Sequence, residues 1–302
     1  MWLPVDRTCK SDLLQASKYL TNVTDHRKDE QIYMSGTLNN FKVNLSESGA
    51  SFKGSLAKYF LSDNFSTLTR SDTARAIEQM ANEIHLPVAL SKVSRIDFAQ
   101  NFLMDYEPEA YYNYLGESNH YERLKYSKSI AYKNGLRYKT FYNKVAEGRA
   151  KKMIIPDVWI DQNVLRFELR HTSRLPKQFN MAEVNVSSLS DEKFYMELCD
   201  RWEAEYEAIN KINSINLNLI DMKSEKDFYK QLELFAVHTI GHDKLMEAIE
   251  EMRIRKVFTH PEYYSRLKSG LKKLCETPKL TASSELIIEL DKKIKDAKRY
   301  YR

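Results

Sequence analysis

Hydrophobic and polar positions along the 302-residue chain change their period several times. They alternate in Phe41-Lys-Val-Asn-Leu45 and in Ala50-Ser-Phe-Lys-Gly-Ser-Leu56, across a turn at Ser46-Glu-Ser-Gly49. A period of two gives a strand one buried face, so this stretch predicts a hairpin. Ser71-Asp72 then caps a helix in which Ala74, Ile77, Ala81 and Ile84 recur at helical spacing, and Pro87 stops it. Alternation returns from Arg95 to Phe102. Pro108 to Leu115 predicts a second helix ending at Gly116. The stretch from Tyr121 to Lys152 supplies at least two strands, and Asn163 to His171 the last. The first thirty residues are polar and predict no element. Strands outnumber helices and follow one another directly, which implies an α+β domain with a mainly antiparallel sheet and flanking helices.

After about Ser187 the period becomes helical. Ser190-Asp-Glu opens an amphipathic helix through Trp202 and Ile209, and Phe228–Met252, Pro261–Leu274 and Ser283–Tyr300 continue in the same periodicity. The pattern divides the chain into an α+β domain over 1–186 and a helical accessory region over 187–302, both of plausible domain size.

Composition changes this picture little. The chain is 42% hydrophobic and 29% charged, ordinary for a soluble globular protein, and its net charge of +5 is modest. Distribution matters more. Between Tyr121 and Lys152 ten basic residues face only Glu122 and Glu147, a surplus of eight. Tyr121, Tyr126, Tyr132, Tyr138 and Tyr142 are interleaved with them. Cations bind phosphates by counterion release and aromatic rings stack on unpaired bases, so the segment is a candidate DNA contact. Its candidates are Lys133, Arg137, Tyr138, Lys139, Arg149, Lys151 and Lys152, with Arg95 outside it. Cys9, Cys199 and Cys275 are few, odd in number and without metal-ligand spacing, which reads as reduced thiols in a cytoplasmic protein. No stretch is apolar enough for a signal peptide or a membrane span, so no membrane partner is expected.

The candidate chemistry lies on three strands. Arg95-Ile-Asp-Phe98, Phe141-Tyr-Asn-Lys144 and Arg166-Phe-Glu-Leu-Arg170 alternate in phase. The face opposite the core then carries Arg95 and Asp97, Tyr142 and Lys144, and Arg166, Glu168 and Arg170. Attack of a tyrosine oxygen on a backbone phosphate needs three aids. Carboxylates must hold a divalent ion, cations must offset transition-state charge, and the phenol, with an ordinary pKa of about 10, must lose its proton. Asp97 and Glu168 suit the first task, Arg166 and Arg170 the second, and Lys144 the third. Oxygen-only ligands favour Mg²⁺ or Mn²⁺. Arg and Asp at neighbouring strand positions also form plain surface ion pairs worth ~0–1 kcal/mol, so it is the concurrence of the three that counts.

Their order resembles the gene II/X family of phage and plasmid rolling-circle replication initiators, with the Rep_trans initiators of staphylococcal-type plasmids as relatives. The likeness rests on Arg95-Ile-Asp97, Tyr142-Asn-Lys144 and Arg166-Phe-Glu-Leu-Arg170, and covers about Gln31 to Phe194. It implies a metal-dependent DNA nickase and strand transferase, an endonuclease that rejoins what it cuts. Tyr142 would form a 5′-phosphotyrosine at the origin and free a 3′-hydroxyl primer. Asp97 and Glu168 would hold the metal, and Tyr138 and Tyr132 would be reserve nucleophiles. The implied partners are origin DNA, single-stranded or as a hairpin or supercoiled duplex, and a host helicase and polymerase, with the protein a monomer or homodimer.

Three rivals stand beside this reading. His171-x-x-Arg174 is the pattern of tyrosine recombinases, with Tyr195 as nucleophile and no metal. His238 and His242, one helical turn apart, have the spacing of some zinc sites but no evident third ligand. A non-catalytic origin-binding protein would need only the cations. Among these are Arg253, Arg255, Lys256, Arg266, Lys268, Lys272 and Lys273, which would dock on duplex DNA or a helicase or else form a solvated helix face.

Overall fold

The computed structural model describes residues 1–28, 31–212, 214–215, 223–276, 281–282 and 284–301. They form two compact units: Met1–Asn210 with Glu289–Arg302, and Lys211–Ile288. The fold is α+β, with antiparallel sheets in the first unit. That unit takes in the helix after Ser190 and the end of the last helix, so it extends beyond residue 186.

The first sheet has the order β1-β5-β4-β3-β2, from strands β1 Trp2–Pro4, β2 Thr21–Lys28, β3 Gln31–Leu38, β4 Phe41–Ser46 and β5 Gly49–Lys53. The expected hairpin is β4–β5. The N-terminal stretch is also structured: β1, the helix α1 Lys10–Ala16 and β2 bury Leu3, Leu13, Ala16 and Leu20. Sparse apolar positions here contribute to a core assembled from distant elements, which local periodicity does not register. After the short helix α2 Leu56–Leu61 comes α3 Arg70–Ile84. Its cap is Thr69, not Ser71-Asp72. The Thr69 side chain accepts from the Asp72 amide at 3.2 Å while Asp72 accepts from the Thr69 amide, a capping box. Ala76, Ile77, Met80 and Ile84 of α3 pack with Val43, Leu45 and Phe52 in one core.

The second sheet has the order β6-β11-β10-β9-β8, from β6 Ile96–Leu103, β8 Glu122–Tyr126, β9 Ser129–Lys133, β10 Arg137–Asn143 and β11 Val164–His171. The helix expected from Pro108 is the single turn α4 Pro108–Tyr111, with one 3₁₀ turn more before β7 Leu115–Ser118. After β10 comes α5 Lys144–Ala150, then α6 Leu175–Gln178 and α7 Glu192–Glu207, capped by Asp191. One face of the sheet lies under α7: Phe141 and Phe167 stack at 4.4 Å, and Trp202, fully buried, meets Phe167 at 5.2 Å. Beyond α7 lies the short strand β12 Ile209–Lys211.

The second unit contains the strand pair β13 Ser214–Ile215 and β14 Thr281–Ala282, and the helices α8 Glu225–Ile240, α9 His242–Ile254 and α10 Glu262–Glu276. The Tyr264 hydroxyl receives the Phe258 amide at 2.8 Å and donates to the Met252 carbonyl at 3.2 Å, tying α10 to the end of α9. The last helix, α11 Glu285–Tyr301, returns to the first unit, where Asp291 accepts from Tyr206 and Lys298 pairs with Asp200 and Glu203. Among the described residues no helix is long and apolar enough to cross a membrane.

Candidate active site

Register assembles the site. Across β10, β11 and β6, Tyr142 lies opposite Arg166, Thr140 opposite Glu168 and Tyr138 opposite Arg170. On the far side of β11, Arg166 faces Asn101, Glu168 faces Ala99 and Arg170 faces Asp97. All these positions share the face turned away from α7, because their neighbours Phe98 and Phe167 contact Trp202, and Phe141 contacts Tyr206, on the other.

Glu168 is the centre of the row. It is 5% exposed. Its Oε1 accepts from Arg170 Nε at 2.5 Å, and its Oε2 from the Tyr142 hydroxyl at 3.1 Å and Arg166 Nε at 3.4 Å. Burial pushes its carboxyl up, but the charges of Arg166 and Arg170 more than offset this and hold it below the ordinary carboxylate value. Asp97 is more open. Arg95 grips it at 2.7 and 2.6 Å, and Arg170 stands 3.7 Å away. Burial raises the Tyr142 pKa, Arg166 pulls it down, and Glu168 pushes it up again, with a large net rise. The phenol is therefore protonated and hydrogen-bonded to a carboxylate. Attack by this oxygen would require positive charge close to it.

Two parts of the expected site are displaced. Lys144 is not a strand neighbour of Tyr142. β10 stops at Asn143, whose side chain accepts from the Ala146 amide at 3.0 Å and starts α5. The Lys144 ammonium is fully buried, 2.6 Å from Glu147 and 5.1 Å above the Phe65 ring. Arg137 and Lys139 lie on the α7 face. Both pair with Glu205; Lys139 is fully buried with a further bond to Ser118 at 2.8 Å, while Arg137 keeps 26% of its side chain exposed. Alternation places Lys139 in phase with Phe141, and this is the reason. Tyr132 is on that face as well, fully buried and donating to the Gly116 carbonyl at 2.8 Å, where no phosphate reaches it.

The remaining candidates are accessible. Tyr138 is half-buried on the site face with Arg170 5.2 Å over its ring, and exposed Lys133 lies opposite it on β9. Arg149, in the last turn of α5, and Lys151 and Lys152 just after it are exposed, Arg149 bonding the Ile160 carbonyl and Lys151 bonding Glu147. Two contributors escaped the sequence reading. Asn101 is buried, accepts from Arg166 at 3.2 Å and donates to the Phe65 carbonyl at 2.7 Å, fixing the guanidinium. Tyr126 is 53% exposed and in register, through Ser129, with Tyr142. Asn101 carries the phase of Asp97, which is a legible signal; Tyr126 needed the pairing of β8 with β9.

The recombinase reading loses its residues. His171 is buried on the α7 side, bonded to Gln178 at 2.8 Å, and Tyr195 is 4% exposed. For the zinc pair, the side chain of His238 lies outside the described residues, as does that of Cys275; Cys9 is exposed and Cys199 buried, neither in a disulfide among the described residues.

A model of the N-terminal region of the phage replication-associated proteins of the gene II type matches residues 2–205, about two thirds of the chain. The chain belongs to that family. It is a replication initiator of the phage rolling-circle kind, and binding of origin DNA follows from that role. No curated protein matches the initiator. The family match ends within α7, so it spans both sheets and the whole Tyr142–Glu168–Asp97 row.

Donor chemistry at this row fits a hard divalent ion. No cluster of three His, Cys, Asp or Glu exists among the described residues. Mg²⁺, however, is commonly held by one or two carboxylates with water and substrate phosphate completing its shell. Asp97 and Glu168, both paired with Arg170, are the two carboxylates here that would hold such an ion.

Proposed function

We propose that this initiator nicks and rejoins one strand of origin DNA through Tyr142. The phenolic oxygen attacks the phosphorus, a tyrosine–phosphate bond forms at the 5′ side, and the 3′-oxygen leaves, taking a proton to become the primer hydroxyl. Attack by a later 3′-hydroxyl reverses the exchange and frees Tyr142. One observation carries the reading: the Tyr142 hydroxyl lies 3.1 Å from Glu168 in a row flanked by Arg166 and Arg170. Arg166, on the same Glu168 oxygen as the phenol, and Arg170, on the other, would offset charge on the phosphate as it becomes five-coordinate. Glu168 orients the phenol through this hydrogen bond, and the phenol proton passes by way of solvent to the leaving 3′-oxygen. Mg²⁺ or Mn²⁺ on Asp97 and Glu168 would lower the phenol pKa and polarise the phosphate. Host helicase and polymerase would take over at the freed 3′ end.

The test incubates the protein with a single-stranded origin oligonucleotide and Mn²⁺ and looks for a covalent adduct. We expect an adduct on Tyr142 by mass spectrometry, none in chelator, and none with Tyr142→Phe, Asp97→Ala or Glu168→Ala. Mapping the adduct to Tyr138 would reassign the nucleophile. Oligonucleotide binding without any adduct would instead identify a non-catalytic origin-binding protein.

A further inference from the structure

The outer face of the first sheet takes no part in this chemistry, yet it is built like a binding surface. Its inner positions, Leu3, Val43, Leu45 and Phe52, fill the core. The alternate positions Trp2, His26, Tyr33, Lys42, Asn44 and Ser51 line an open groove of about 380 Å³. The rings are held in place. His26 and Tyr33 stack at 4.8 Å with 18° between their planes, and His26 Nε2 bonds the Ser35 hydroxyl at 2.6 Å. The Trp2 indole lies against the hairpin at Gly49, where φ is +149° and a Cβ would come within 2.9 Å of the ring. None of these three rings is buried. No residue lining the groove is acidic, in a chain with 42 acidic residues.

An acid-free strip with a lysine matches a polyanion, and half-buried rings on an open groove match unpaired bases, whose faces stack in any sequence. We propose that this face is a second nucleic-acid platform, holding single-stranded DNA with bases on Trp2 and the His26–Tyr33 pair and phosphate on Lys42. An initiator that opens an origin has unpaired strand to hold outside its cutting site, and the platform supplies a place for it. The inference rests on the chain's role with DNA and not on Tyr142 as nucleophile.

The experiment uses the full chain carrying Tyr142→Phe, so that no covalent adduct interferes. Anisotropy of labelled oligo(dT) is followed across a salt series. Lys42→Gln should lower the slope of log affinity against log salt by about 0.7, one single-strand phosphate contact. Tyr33→Ala should weaken binding about fivefold or more, the loss of one stacked base. Ultraviolet cross-links should map to the peptides holding Trp2 or Tyr33. Circular dichroism identifies any variant that fails to fold, and Lys42, exposed, serves as the conservative one. Unchanged slope and affinity, or cross-links confined to β10 and β11, would overturn the platform. So would oligo(U) competing better than oligo(dT), which would make the ligand RNA. The two proposals fail separately. Adduct formation at Tyr142 with normal oligo(dT) binding by the groove variants removes the platform alone; the converse removes nicking alone.

Discussion

Glu168 and Glu205 show how one sheet uses the same residue type on its two faces. Glu168 gathers Tyr142, Arg166 and Arg170 on the open side; Glu205 of α7 gathers Arg137 and Lys139 on the covered side. Breaking a buried ion pair by removing one partner costs about 3–5 kcal/mol, while exchanging both for apolar groups is often neutral. Glu205→Leu should therefore destabilise strongly, because it strands the fully buried Lys139. The double variant Glu205→Leu with Lys139→Met should recover most of the loss. Urea unfolding of the two singles and the double measures it, and strict additivity would count against the pair. The surplus of positive charge from Tyr121 to Lys152 was legible, but charge alone does not distinguish a DNA contact from an internal counterion. Two of its cations, Lys139 and Lys144, are internal, and Arg137 is half-buried against Glu205.

At the scale of elements, caps decided what periodicity left open. Asn143 ends the alternation of β10 and starts α5, so Tyr142 keeps its strand phase and Lys144, two residues on, is turned inward to pair with Glu147. Asparagine before a run of helix formers is a readable signal of that kind. Thr69 likewise starts α3, whose buried face packs beneath the first sheet. Thr69→Ala removes a side-chain bond to the Asp72 amide and should cost about 1 kcal/mol in chemical denaturation, with the adduct assay unaffected. A loss of nicking with normal stability would instead place α3 within the functional machinery.

For the whole molecule, three buried carboxylates bear on acid stability. Burial raises Glu147, Glu168 and Glu205, but Lys144, Arg166 with Arg170, and Lys139 respectively outweigh it and hold each below its ordinary value of 4.5. A carboxyl that binds protons more weakly when folded contributes stability that is complete above its unfolded value and lost as pH falls through the folded one. Denaturant midpoints should therefore begin to fall below about pH 6.5, where burial holds His171 under its ordinary value so that protonation opposes folding, and fall further below 4.5 as the carboxylates protonate; a midpoint that rises on acidification would contradict the pairings. Strand alternation, the order of the three motifs and the switch to helical period were all present in the chain as written, because each depends on residues close in sequence. The phase of Asp97, Tyr142 and Glu168 was among them, since a pleat repeats every two residues. Which face α7 would cover, which cations that helix would neutralise, and where Tyr126 would come to rest depend on pairings across tens of residues. Only the closed sheet and its packing settle those, because burial is a property of what lies on top.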